Sequence, residues 1–159
     1  MLSKTNKRQN GFTIIEVLIV LAIAGLIMLI VFLAVPALQR NARNNQRSRD
    51  VSALLGGMSE YVNNNNGSLP VAVTSLGSGT SATIGSGTGI NTVPVSLSYY
   101  DASKISITTT TGTANPNDAE KIIIVEGATC SGPDATGGPT RGYVALYTLE
   151  NSSKQCKSS

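Results

Sequence analysis

The sequence predicts an α+β protein in which one long N-terminal helix, half membrane-spanning and half amphipathic, packs on a small antiparallel β-sheet. Three observations lead there. Phe12 to Leu38 is almost wholly apolar, broken only by Thr13, Glu16, Gly25 and Pro36. In residues 51–62, Val51, Leu54, Leu55, Met58, Tyr61 and Val62 repeat at the i, i+3, i+4, i+7 spacing of one helix face. Short β-type runs separated by turn residues then fill the second half of the chain.

Composition narrows the chemistry. The 159 residues are 41 % apolar and only 13 % charged, and there is no histidine. That removes histidine general-base catalysis and every histidine-containing metal site. The apolar block and the β-branched runs demand burial, which excludes disorder throughout. The formal charge of +3 is a property of the first eleven residues, where Lys4, Lys7 and Arg8 face no acid. From Phe12 onward nine basic and nine acidic side chains cancel. Arg40, Arg43, Arg47 and Arg49 form a local basic cluster against Asp50, while the chain after it is slightly acidic. A general nucleic-acid field is therefore not expected of the C-terminal part.

Taken in order, a basic leader precedes the apolar run. Its core, Val17–Val35, is long enough to cross about 30 Å of hydrocarbon at 1.5 Å per residue, and lipid favours the helix for a single spanning segment. A secretory signal peptide would have a shorter apolar region and a small-residue cleavage site, so the segment reads as retained. Three basic residues precede it and four follow closely, so their count does not orient it. Pro36 is a candidate kink, because it lacks an N–H and crowds the carbonyl four residues back. Beyond Leu38 the helix is expected to continue until Asn63–Asn66, Gly67 and Pro70 stop it. At roughly 75 Å it would exceed any domain the remaining residues could build.

The Gly-Ser-Gly-Thr repeats of residues 74–92 read as a surface loop without a core of its own. Strands are expected at Val93–Tyr100, Ile105–Thr111, Lys121–Glu126 and Arg141–Glu150, the last with Tyr143, Ala145, Tyr147 and Leu149 on one face. Asn115-Pro116-Asn117-Asp118 and the segment from Gly132-Pro133-Asp134 to Gly142 read as turns. Cys130 and Cys156, the two cysteines, read as a disulfide if they lie beyond a membrane. Spacing alone leaves two free thiols as the alternative.

Glu16 is the residue that needs a reason. A carboxylate inside an apolar helix costs a few kcal/mol and by default has a partner. Cutting the chain before Phe12 would create an α-amine one helical turn away, on the same chain or on a neighbouring copy. An ion pair to a neighbour would drive self-association in a fixed register.

These residues carry a resemblance. Gly11-Phe12-Thr13-Ile14-Ile15-Glu16-Val17, after a short basic leader and before a long apolar helix, resembles the type IV prepilin signature. The resemblance implies cleavage between Gly11 and Phe12 by a prepilin peptidase, N-methylation of Phe12, and pairing of Glu16 with the N-terminal amine of an adjacent subunit. It implies a cytoplasmic N-terminus in the membrane before assembly, a platform with a cytoplasmic ATPase, and a homo-oligomeric surface filament afterwards. Cys130 and Cys156 resemble the pair that brackets the disulfide-closed region of many pilins. Pro36 stands later than the helix proline usual in the family, so melting of that region on assembly is not carried over. The chain then divides into a leader (1–11), a membrane or filament-core helix (12–38), its amphipathic continuation (39–66) and a loop-rich β head (67–159).

The expected function is a structural pilus subunit for adhesion, motility or DNA uptake. A secretion pseudopilin is one alternative, although Asp134 alone is far short of the oxygen donors calcium takes. A DNA-binding competence pilin using Arg40, Arg43, Arg47 and Arg49 is another. A solvated helix face or contact with anionic headgroups is favoured for those arginines. An enzyme is not expected, since serine has no histidine partner and no nucleophile motif occurs. No cofactor and no metal are expected, and any host or surface receptor is left open.

Overall fold

The computed structural model describes residues 11–75, 80–85, 91–109 and 120–159. Leader residues 1–10, repeat residues 76–79 and 86–90, and the turn expected at 115–118 lie outside the described residues. The chain forms two compact units, Met1–Gln39 and Arg40–Ser159. We call the second unit the head. Helix α1, Ile14–Asn64, runs unbroken through Pro36. Its end follows from the asparagine run. Asn66 adopts the left-handed conformation at φ 54°, and the Gly67 N–H donates to the Val62 carbonyl at 2.8 Å. This is a 6→1 closure with asparagine in the place glycine usually takes.

Three sheets follow. Strands β1 (Val73–Ser75), β2 (Ser81–Ile84) and β3 (Val93–Ser96) are antiparallel in that order. Strands β4 (Ile105–Thr108), β5 (Ile122–Glu126), β8 (Tyr143–Thr148) and β9 (Lys154–Ser158) form a four-stranded sheet in the order β4-β5-β8-β9. The hairpin of β6 (Ala128–Ser131) and β7 (Asp134–Gly137) makes the third. The α+β class is the one the sequence predicts, but the sheet is mixed: β4 and β5 are parallel. The connection from Thr109 to Lys121 supplies the dozen or so residues a parallel crossover requires.

Other expectations are corrected. The segment 74–92 is not a coreless loop, because β1 and β2 come from it and Ala82 and Ile84 are fully buried. Single apolar residues among Gly, Ser and Thr hid the strand until the helix covered them. Gly57 shows how closely: a Cβ there would stand 2.5 Å from Val95 Cγ2 and 2.8 Å from Ile84 Cδ1 and would push both side chains aside. The segment 132–142 contains β7. The strand expected to be last is followed by β9, whose Lys-Gln-Cys-Lys-Ser sequence has no apolar alternation because it is a half-buried edge.

The expected faces are observed within the head. Val51, Leu54, Leu55 and Met58 are buried with Tyr143, Ala145 and Tyr147, and Tyr61, Val62 and Leu149 pack against that core. The opposite face of β8 contributes Val144 and Leu146 to a smaller core with Val125, Ala128 and Ala135. The four-stranded sheet is thus covered by α1 on one face and by the β6–β7 hairpin on the other, and all six residues of β8 are buried. Two cross-links hold the hairpin on the edge strand: the Cys130–Cys156 disulfide, with Cα atoms 5.7 Å apart, and an ion pair of Lys154 with Asp134 at 3.8 Å. The bridge therefore ties the last strand to a hairpin strand, not a loose tail to a loop. In the loop-entropy account a closure of this length contributes about 3.5 kcal/mol. Replacing both cysteines by serine is expected to lower head stability by about 3 kcal/mol, measured by urea unfolding. Leu54→Ala is expected to cost about 2–5 kcal/mol by the same measurement.

Candidate processing and assembly site

Gly11, Phe12 and Thr13 precede α1 in non-helical chain and all three are exposed. Phe12 is 89 % exposed, so the Gly11–Phe12 bond lies in accessible, non-helical chain. Thr13 and Glu16 then close the helix start reciprocally. The Thr13 N–H donates to Glu16 Oε2 at 2.9 Å and its hydroxyl donates to the same oxygen at 2.7 Å. The Glu16 N–H reaches back to the Thr13 hydroxyl at 3.4 Å. This is a capping box, Thr at the N-cap and Glu three residues later. The sequence reading gives Glu16 only a new α-amine as partner, on its own chain or a neighbouring copy, and does not include Thr13. The Thr-x-x-Glu spacing was the signal that places one there.

The box has a chemical consequence. Both Thr13 donors use Oε2, and Glu16 Oε1 has no hydrogen-bond partner among the described residues. The carboxylate is fixed in direction by one oxygen and presents the other. It also lies at a helix N-terminus, where a negative charge is favoured. Past it, the apolar side chains of residues 14–38 are exposed, Phe32 and Leu33 by 81 % and 75 %. No part of the span long and apolar enough to cross a membrane is buried. Surface of that kind requires lipid or a partner. Pro36 lies in this exposed stretch and α1 continues past it.

The four arginines separate into two pairs. Arg47 is 2 % exposed, which corrects the solvated face expected at that position. Its guanidinium donates to the Thr148 carbonyl at 3.1 Å and to the Tyr99 hydroxyl at 2.6 Å, and lies 4.5 Å from the centre of the Tyr99 ring. Arg43 is bound through two nitrogens to the Glu150 carboxylate, Nη2 to Oε2 at 3.1 Å, and Asn44 Oδ1 accepts the Glu150 N–H at 3.1 Å. Arg40 and Arg49 are exposed.

Asp50, read from sequence only as a counter-charge, is the missed residue. It is buried, and its carboxylate accepts the N–H groups of Ser98, Tyr99 and Tyr100 at 2.8, 2.7 and 3.0 Å. Those three bonds turn the chain after β3 and end the strand expected to run to Tyr100. Continuing the 51–58 periodicity backwards puts Arg47 and Asp50 on the buried stripe, a signal the sequence did contain. Cys130 and Cys156 are joined on the far face of the sheet. Among the described residues no group of three or more His, Cys, Asp or Glu side chains is placed to hold a metal.

Electrostatics follows from these contacts. The Arg43 hydrogen bond holds the Glu150 carboxyl below its ordinary value. A lowered acid contributes stability in full above the unfolded value, and that contribution is lost as pH falls through the folded value. Arg43→Gln is expected to move the Glu150 titration back up and to remove this part of the acid sensitivity, checked by NMR titration of the carboxyl carbon. Asp50→Ala takes the acceptor from three N–H groups, that of Tyr100 buried, beside a buried arginine. It is expected to cost about 3–5 kcal/mol, measured by thermal unfolding of the membrane-extracted protein.

Residues 6–32 match the prokaryotic N-terminal methylation motif. No curated protein and no solved structure matches the chain. With the exposed, capped helix start and the α+β head, the chain carries a type IV pilin-like prepilin signature on a type IV pilin-like architecture.

Proposed function

We propose that this chain is the structural subunit of a type IV pilus filament, cleaved after Gly11, methylated on Phe12 and polymerised through α1. The observation that carries the reading is the placement of the methylation motif, residues 6–32, on a helix whose apolar side chains are exposed over its whole first half. Before assembly the 12–38 segment is held in the cytoplasmic membrane with its N-terminus inside, and the disulfide-bearing head lies on the other side. On that side oxidation is favoured. A membrane prepilin peptidase removes residues 1–11, and an inner-membrane platform with a cytoplasmic ATPase extrudes the subunit.

The physical work of assembly falls to two features. Exposed aliphatic surface exchanges lipid for neighbouring helices, and Glu16 Oε1 takes the amine of Phe12 from an adjacent copy while Thr13 keeps Oε2. In a dry bundle, such a pair supplies register that the featureless aliphatic surface lacks. The pilin-type signature points to a structural role and not to catalysis. Adhesion or surface motility is the proposed use of the fibre. DNA capture has less support, because Arg47 is buried and Arg43 is paired, which leaves Arg40 and Arg49 for phosphates.

Protein sheared from cells is expected to be filamentous and to begin at methylated Phe12, read by mass spectrometry of its N-terminal peptide. A soluble monomer that retains residues 1–11 would overturn the reading. Glu16→Ala is expected to be processed and retained in the membrane. Its fibre yield is expected to fall roughly a hundredfold, the equilibrium effect of losing about 3 kcal/mol per contact.

A further inference from the structure

Between β3 and β4, the segment from Tyr99 to Asp101 is held from inside by the two buried charges of α1. Asp50 accepts the N–H groups of Tyr99 and Tyr100 at 2.7 and 3.0 Å. Arg47 bonds the Tyr99 hydroxyl and lies over its ring. Buried charges are a costly way to pin a surface segment. What the pinning produces is a fixed wall, in which the two rings stand at 80° with centroids 5.1 Å apart.

That wall borders a cavity of about 310 Å³, lined by Tyr99, Tyr100, Asp101, Lys104 and Glu120. The volume is at the small end of the range for ligand clefts. Its polar groups are positioned as well. Asp101 Oδ1 accepts the Ser103 N–H at 2.8 Å, which caps the short 3-10 helix Ala102–Lys104 and orients the carboxylate. The Lys104 ammonium stands 3.7 Å from Glu120 Oε2. Tyr100 is 1 % exposed, and its hydroxyl has no hydrogen-bond partner among the described residues. A polar group buried without a partner calls for one, and the cavity is where an acceptor can enter.

The lining selects a ligand class. Two carboxylates against one ammonium leave one negative charge, which repels phosphate, sulfate and acidic sugars. Lys104 already occupies the place beside those carboxylates that a ligand cation would need. What remains is a neutral molecule that donates to carboxylates, accepts from an ammonium and lays carbon against tyrosine. A sugar ring does all three, because each hydroxyl donates and accepts while its C–H face is apolar.

We propose that this cavity binds a neutral saccharide, with Asp101 and Glu120 accepting its hydroxyls, Lys104 donating to them and the tyrosine wall carrying the ring. The inference goes beyond the filament reading and does not need it, since every residue involved lies in the head. On a fibre, the site gives adhesion a ligand class.

The test uses the full chain in a detergent without a sugar headgroup. The probes are the methyl glycosides of glucose, galactose, mannose and N-acetylglucosamine, with N-acetylneuraminic acid and choline as charged comparisons. At least one neutral glycoside is expected to show saturation transfer from the protein by NMR. Asp101→Asn keeps the cap, since asparagine caps as well as aspartate. Combined with Glu120→Gln, it is expected to weaken binding about tenfold or more at a wild-type thermal midpoint. Lys104→Gln is expected to weaken it similarly. No transfer to any of the neutral glycosides, transfer unchanged in both variants, or a preference for N-acetylneuraminic acid or choline would overturn the proposal. Normal fibre assembly by the same variants is expected, so the filament reading stands or falls separately.

Discussion

Two opposite charges buried three residues apart on α1, Arg47 and Asp50, hold the head together. Burying either alone would cost several kcal/mol, and each is made tolerable by partners from elsewhere in the head. Asp50 gathers three consecutive N–H groups at the turn after β3, and Arg47 takes the carbonyl at the end of β8 and the face of Tyr99. The helix is thereby joined to the three-stranded sheet and to the four-stranded sheet at one point. Arg43 and Asn44 extend the junction one turn further, onto Glu150. The apolar stripe from Val51 to Met58 packs as it does because this polar junction fixes which way the helix is turned.

The apolar residues of the head are divided between two cores. Placing β8 between the helix and the β6–β7 hairpin lets one strand serve two cores. The second core is small, and its two outer strands are short and polar. Covalent closure by Cys130 and Cys156 supplies what that packing lacks.

The helix, the 51–62 face and the last well-alternating strand were legible because each rests on periodicity, and periodicity survives without knowledge of partners. The face of Tyr143, Ala145 and Tyr147 is one case. Ala82 and Ile84 were not legible, since a strand of two apolar residues among Ser and Thr has no pattern until Gly57 lets the helix descend on it. β9 was hidden for the opposite reason: an edge strand closed by a disulfide needs no apolar alternation. At the site, Gly11, Phe12 and Glu16 were legible as a motif, whereas the roles of Thr13, Arg47 and Asp50 depend on what their polar atoms reach. The arginines near the apolar stripe read as solvated, and burial reverses that reading for Arg47, while Asp50, read only as a counter-charge, is buried as well.

The position of the junction has a practical consequence for anyone wishing to study the head by itself. The second compact unit begins at Arg40, and residues from Arg43 onward supply its polar anchor and its central apolar wall. A soluble fragment trimmed just ahead of Arg40 keeps every one of these contacts while shedding the greasy segment. One trimmed ten residues later discards the anchor and leaves Glu150, the Thr148 carbonyl and Tyr99 without their cationic partners.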